Sequence, residues 1–212
     1  MPGRLYNDWE SQLRQWHIRT PLSPPVSCRL EYIFEEQVNQ HQHQIAVEDC
    51  STNLNLTYGQ LNRAANGLAL RLMQVIKANH SRHMHHSHGT HFILLFVDAS
   101  LHVPVSFLGI LKAGFVIVPI DTSAPVDRIR FILKDASVCL ILTQSKYMDL
   151  FARNMAIGTI PNICVLDLEK KVDLNFAEVD LPNRNPEGLE PAYCIYTSGT
   201  TGHPVSFFKG YQ

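Results

Sequence analysis

The chain has 212 residues, 45% of them hydrophobic, enough to bury a sizeable core in one large domain or two small ones. A formal net charge of -1 supplies no field that would gather nucleic acid or anionic lipid, so neither partner has electrostatic support and small-molecule chemistry is favoured. Five cysteines (Cys28, Cys50, Cys139, Cys164, Cys194) form no CxxC pair and occupy settings such as "VCLIL", which reads as reduced core thiols and a cytoplasmic location.

Residues 1–26 read as an irregular lead-in: no regular period survives, the prolines of "RTPLSPPVSC" remove backbone donors, and no apolar secretory run is present. An ordered domain is expected over 27–204. It opens with a helix in "CRLEYIFEEQVNQHQ", which places Leu30, Ile33, Phe34 and Val38 on one stripe and leaves Glu35 and Glu36 on a solvated face. A short strand, "QIAVED", follows. The helix "YGQLNRAANGLALRLMQVI" then repeats the apolar pattern through Leu61, Ala64, Ala65, Leu68, Leu72 and Val75.

A histidine-rich insertion at about 79–91, "NHSRHMHHSHGTH", reads as low-complexity surface chain, although His80/His83 and His88/His91 have chelating spacing if a helix forms. Beyond it, "HFILLFVD", "FVIVPI" and "VCLILT" are apolar runs of strand length, of the kind buried on both faces of a parallel sheet. The helix "HVPVSFLGILKAG", closed by Gly114, and the helix "APVDRIRFILKDA" alternate with them. Pro125 stands in the first turn of the latter, Asp127 near its positive end, and Ile129, Ile132 and Leu133 point inward. Asp121, beside a proline and before "TSAP", reads as a turn or capping carboxylate. A helix near "SKYMDLFARNM", the strand "ICVLDL", a polar loop through "NRNPEGLEP" and a last strand, "AYCIYT", complete the pass. The alternation predicts an α/β fold with a mostly parallel sheet and flanking helices. The longest apolar stretch, "VPVSFLGILKAGFVIVPI", is broken by Lys112, glycines and prolines, which suits a buried helix–turn–strand unit and not a membrane span.

The strand "AYCIYT" runs into "SGTTG". Its glycines let backbone N–H groups approach an anion, and the hydroxyls of Thr197, Ser198, Thr200 and Thr201 add donors. This is not a Walker loop, because Pro204, Val205 and Ser206 stand where glycine, lysine and a hydroxyl would be needed.

"YTSGTTGHP" resembles the phosphate-loop signature of the adenylate-forming superfamily, YTSG[ST]TGxPKG. "LTYGQLNRAANGLA" and "LKAGFVIVPIDTSAPVDRIRFILKDA" resemble two further core motifs in the family's order. Pro125, Arg128, Ile129, Ile132, Leu133 and Asp135 bring the chain closest to the amino-acid adenylation domains of nonribosomal peptide synthetases. The resemblance implies an incomplete, N-terminal part of that enzyme fold. It implies a parent that joins a carboxylate or amino acid to the α-phosphate of ATP, with Mg²⁺, and then passes the acyl group to a phosphopantetheine or CoA thiol, with a carrier domain as partner. Thr197, Ser198, Gly199, Thr200, Thr201 and Gly202 inherit the contacts to the β- and γ-phosphates; the other two motifs inherit structural duties only.

The sequence departs from the family where Val205 replaces the usual lysine, and "KG" follows only at Lys209 and Gly210. Val-Ser is also what an intron donor, GTAAGT or GTGAGT, encodes in frame, so residues 205–212 read as an aberrant tail of translated intron. With the later family motifs beyond Gln212, the fragment is expected to be inactive; the competing expectation is a noncatalytic nucleotide-binding or scaffold module.

Overall fold

The computed structural model describes residues 29–83, 91–156, 163–171, 181, 191–198 and 204–210. The lead-in, the core of the histidine-rich insertion, the polar loop before residue 191 and residues 199–203 lie outside this set.

Helix α1 (Leu30–His41) is followed by an antiparallel pair, β1 (Ile45–Asp49) and β2 (Leu54–Thr57), and by α2 (Tyr58–His83). Then come β3 (Phe92–Phe96), α3 (His102–Lys112), β4 (Val116–Pro119), α4 (Val126–Asp135) and β5 (Leu140–Thr143). A 3-10 turn (Ser145–Tyr147) enters α5 (Met148–Ala156), and β6 (Cys164–Asp167), α6 (Leu168–Lys171), β7 (Pro191–Ser198) and β8 (Pro204–Gly210) end the order. Strands β3 to β8 form one sheet in the order β6-β5-β3-β4-β7-β8, parallel from β6 to β7 and antiparallel only between β7 and β8.

The parallel strands are apolar without alternation because both their faces are covered. Ile93, Leu95, Ile117, Leu140 and Leu142 pack with Leu68, Leu72, Val105 and Ile110 from α2 and α3. Leu94, Phe96, Val116, Val118 and Ile141 pack with Ile129, Ile132 and Leu133 of α4 and Phe151 of α5. At about 25 cal/mol per Å² of apolar area removed from water, this two-sided burial is the main stabilising term.

Several sequence expectations change here. On α1, Val38 is buried and Phe34 packs against the core as its stripe implies, but Leu30 is 46% exposed and Glu31 is buried. Glu31 lies 3.5 Å from the buried Arg29 guanidinium, and Glu35 pairs with the buried Lys112 ammonium of α3. Glu35 is therefore a docking group and not part of a solvated face. Strand β2 fills what read as a connection, and Asn53, at φ 56° in the turn before it, takes a left-handed conformation that asparagine tolerates. Helix α2 runs on to His83, into the histidine-rich segment; the side chains of His80 and His83 lie outside the described set. Pro125 caps α4 instead of sitting in its first turn. Gly114 closes α3 at φ 79°, as its position suggested.

The described cysteines are free thiols, with Cys194 buried and Cys50 exposed, so Cys50 is not a core thiol. Burial pushes the Cys139 thiol up to about 12, and its Sγ–H donates to the Phe92 carbonyl at 3.4 Å. No helix among the described residues is long and apolar enough to cross a membrane.

Helices α2 and α3 meet at Gly109, where an added methyl carbon would lie 2.8–3.0 Å from three side-chain carbons of the fully buried Leu68. The gain in helix propensity from alanine, about 1 kcal/mol, is smaller than the overpacking cost. Gly109→Ala should destabilise the chain by about 1–2 kcal/mol in urea unfolding. Leu68→Ala in the same chain should cost less than it does alone, because the new methyl occupies part of its cavity.

Candidate functional site

In an open parallel sheet, ligands meet the chain outside the carboxyl ends of the strands, where the connections to the two helix layers diverge. Here β3 leads to α3 on one face and its neighbour β5 leads to α5 on the other. Asp98 sits just beyond β3 at that divergence. Its Oδ1 accepts from Thr122 Oγ1 and from the Tyr147 hydroxyl, each at 2.7 Å, its Oδ2 pairs with the Lys146 ammonium, and its backbone N–H donates to Gln144 Oε1 at 2.8 Å. The hydrogen bond from Lys146, then those from Tyr147 and Thr122, hold the Asp98 carboxyl down at about 2.

The polar chain continues across the rim. Gln144 Nε2 donates to Glu169 Oε1 at 3.3 Å, the Glu169 N–H to Asp167 Oδ1 at 3.0 Å, and Ser145 Oγ to Asp167 Oδ2 at 2.7 Å. The ends of β3, β5 and β6 and the segment after β4 are thus stitched together, and their polar atoms are spent on one another. Asp121 accepts the N–H and the hydroxyl of Ser123, at 2.7 and 2.6 Å, which makes it the turn carboxylate its surroundings suggested.

Strand β7 reaches the same rim. Register pairs Ile117 with Tyr193, so Pro119, the last residue of β4, stands beside Ile195 and β7 continues past it through Tyr196, Thr197 and Ser198. Tyr196 is buried and Thr197 exposed. The Arg128 guanidinium donates to the Tyr196 carbonyl at 3.1 Å, and the Tyr196 hydroxyl donates to Asp135 Oδ2 at 2.7 Å. Burial, then the bond to Asp135, raises the phenol above its ordinary range and keeps it a donor. Of the sequence-predicted site residues, the structure puts Thr197 and Ser198 at the open end of β7; Gly199, Thr200, Thr201 and Gly202 lie outside the described residues.

Pro204–Gly210, which runs into the segment 205–212 read as an aberrant tail, forms strand β8 against β7, pairing Val205 with Thr197 and Lys209 with Tyr193. Lys209 is therefore in register four residues before Thr197, about 13 Å back along the strand at 3.3 Å per residue.

The carboxylates Asp98, Asp121 and Asp135 around this end each accept hydrogen bonds, from Thr122, Ser123 and Tyr196. Among the described residues no group of three or more His, Cys, Asp or Glu side chains could hold a metal ion. Sequence reasoning missed Asp98 and the bonds of Arg128 and Asp135 to Tyr196. The available signal for Asp98 was a carboxylate directly after a wholly apolar parallel strand.

Residues 34–205 match the family of AMP-binding enzymes. The chain is 34% identical over 213 aligned positions to the N-(5-amino-5-carboxypentanoyl)-L-cysteinyl-D-valine synthase of Penicillium rubens, covering 97% of this chain and 5% of that protein. It is 33% identical to tyrocidine synthase 3 of Brevibacillus parabrevis, covering 91% of this chain and 3% of that protein. Among solved structures, the inhibitor-bound N-terminal domain of FACL13 from Mycobacterium tuberculosis superposes with a TM-score of 0.70 at 23% identity, over 87% of this chain and 44% of that one. The nonribosomal peptide synthetase FmoA3, bound to α-methyl-L-serine-AMP, gives 0.70 at 23% identity, over 89% and 19%. The chain thus spans a small fraction of the length of these relatives.

The pH dependence of Asp98 gives one test of the rim. A carboxyl held at about 2, against about 3.9 in an unfolded chain, adds stability that is present above pH ~4 and is lost as pH falls through about 2. The partner Lys146 is 54% exposed, so screening keeps the contribution modest. In melting curves between pH 6 and pH 2, Asp98→Asn should start lower and lose less on acidification than the unaltered chain; parallel curves would remove Asp98 from this role.

Proposed function

The chain belongs to the AMP-binding enzyme family of adenylate-forming, acid-activating proteins, and from that premise we propose that the end of β7 and the segment after it form the triphosphate-binding part of an adenylation site. Thr197, Ser198, Gly199, Thr200, Thr201 and Gly202 are assigned to the β- and γ-phosphates of ATP. What carries this reading is the end of β7, where an exposed Thr197 leads the chain out of the sheet's carboxyl rim into a glycine- and hydroxyl-rich sequence. Backbone N–H groups and hydroxyls would orient the polyphosphate and take up charge as pyrophosphate leaves. Mg²⁺, in this reading, would balance the charge of the phosphates.

The whole parent, in this reading, activates an amino acid or related carboxylate as an acyl-adenylate and hands it to a phosphopantetheine or CoA thiol, with a carrier domain as its partner. The synthase names of the relatives support that choice. The residues here span 5% of the first of these relatives, so the complete reaction is assigned to a longer parent and the polyphosphate-binding part alone to these residues.

Two measurements test this. Calorimetric titration of the full 212-residue chain should detect ATP and inorganic pyrophosphate but not adenosine, and Ser198→Ala/Thr200→Ala/Thr201→Ala should weaken both about tenfold or more, as expected when several charge-assisted hydrogen bonds are lost. Amino-acid-dependent exchange of pyrophosphate into ATP should be absent. Exchange by these residues alone would overturn the noncatalytic part of the proposal, and equal affinity for adenosine would overturn the phosphate assignment.

A further inference from the structure

Two thiols stand side by side at the amino end of the sheet. Cys139 lies one residue before β5, Cys164 is the first residue of β6, and the parallel register sets Leu140 opposite Cys164. With strands about 4.8 Å apart and a rise of about 3.3 Å per residue, the Cα atoms of Cys139 and Cys164 are about 6 Å apart, inside the range of ~4.4–6.8 Å that a disulfide spans. Both side chains are half-buried and pack against the core shared with α2 and α3, so they lie on one side of the sheet. We propose that Cys139 and Cys164 form an oxidation site, at which a low-molecular-weight disulfide such as oxidised glutathione converts the two thiols to a disulfide that staples β6 to β5.

Two features set this pair apart from ordinary core thiols. Cys50 lies in the turn between β1 and β2 and Cys194 in β7, so among the described cysteines no other two stand on neighbouring strands. Strand β6 has a strand neighbour on one side only, and its carboxyl end is held through Asp167 by Ser145 and the Glu169 N–H; the thiols sit at its amino end, where a link adds a second hold. The order of steps follows from burial, which with a smaller push from the Cys164 sulfur keeps the Cys139 proton in place, so Cys164 reacts first. Its thiolate attacks one sulfur of the reagent and expels one glutathione thiolate. Cys139 then gives its proton to water and attacks the Cys164 sulfur, expelling the second. Two electrons pass from the pair to the reagent, the two protons end on two reduced glutathiones, and the fold gives up only the weak bond from the Cys139 Sγ–H to the Phe92 carbonyl.

The test equilibrates the full chain with mixtures of reduced and oxidised glutathione, in buffer and in urea, followed by acid quenching, alkylation and peptide mass mapping. In the folded chain a Cys139–Cys164 link should form ahead of any other. It should persist in a mixture about tenfold or more as reducing as the one that opens it in urea, because the fold raises the effective concentration of one thiol at the other. By the same thermodynamic cycle the linked chain should melt about 3 °C or more above the reduced one, and dithiothreitol should reverse the gain. Cys50→Ser, at an exposed thiol, should change neither result, and Cys139→Ser should leave Cys164 carrying glutathione. Where the latter variant fails to fold, mapping and redox titration of the unaltered chain decide by themselves. Absence of a Cys139–Cys164 link in the folded chain, or a link no more resistant to reduction than in urea, would overturn the proposal.

Discussion

A strand buried on both faces can offer solvent only its two ends. Strands β3, β4 and β5 are held in this way between α2 and α3 on one side and α4 and α5 on the other, and the rest of the molecule follows from it. Their side chains are committed to the two cores, so polar groups with work to do gather where the chain emerges. At the carboxyl rim Asp98 anchors such a gathering. One carboxylate with three side-chain donors ties the end of β3 to the segments after β4 and β5, and Gln144, Glu169, Asp167 and Ser145 extend the tie to β6. That network satisfies itself. The end of β7, with its exposed Thr197, reaches the same rim, which is why a glycine- and hydroxyl-rich sequence at that point carries more weight than the same letters in an arbitrary turn.

Much of the fold was legible because burial writes itself plainly into parallel strands. "FILLF", "VIVP" and "LILT" have no polar member before the closing threonine, and the helices between them show their inward residues at helical spacing. What was not legible depended on partners distant in sequence. That Glu35 turns to a partner cannot be read from "LEYIFEEQV", because Lys112 lies 77 residues away. Periodicity alone assumes that glutamates face water. Strand β2 was hidden by its brevity and by a pattern with only Leu56 buried, which a four-residue segment can carry into a helix without a break.

The candidate site was legible at the level of motif and not of support. Hydroxyls and glycines after an apolar strand announce an anion-binding segment, yet nothing in the letters of "APVDRIRFILKDA" says that Arg128 and Asp135 reach the same tyrosine. Their spacing of seven residues marks only a shared face of α4. The tyrosine completes the arrangement, since its carbonyl and hydroxyl are far enough apart to meet opposite ends of that face.

Strand β8 bears on how the proposed phosphate site would work. By pairing Val205 with Thr197 it gives the end of β7 a neighbour on its outer side and sets the backbone of Lys209 beside Tyr193, four positions back along the strand. Among the described residues, Arg128 is a cation that meets β7 near this end, bound to the Tyr196 carbonyl. A guanidinium held to a backbone oxygen stiffens the strand end, but it is less free than a lysine ammonium to follow a moving phosphate. The site proposed there would therefore depend on a firmly held strand more than on a mobile cation, with the bonds of β7 to α4 and its pairing with β8 as that support.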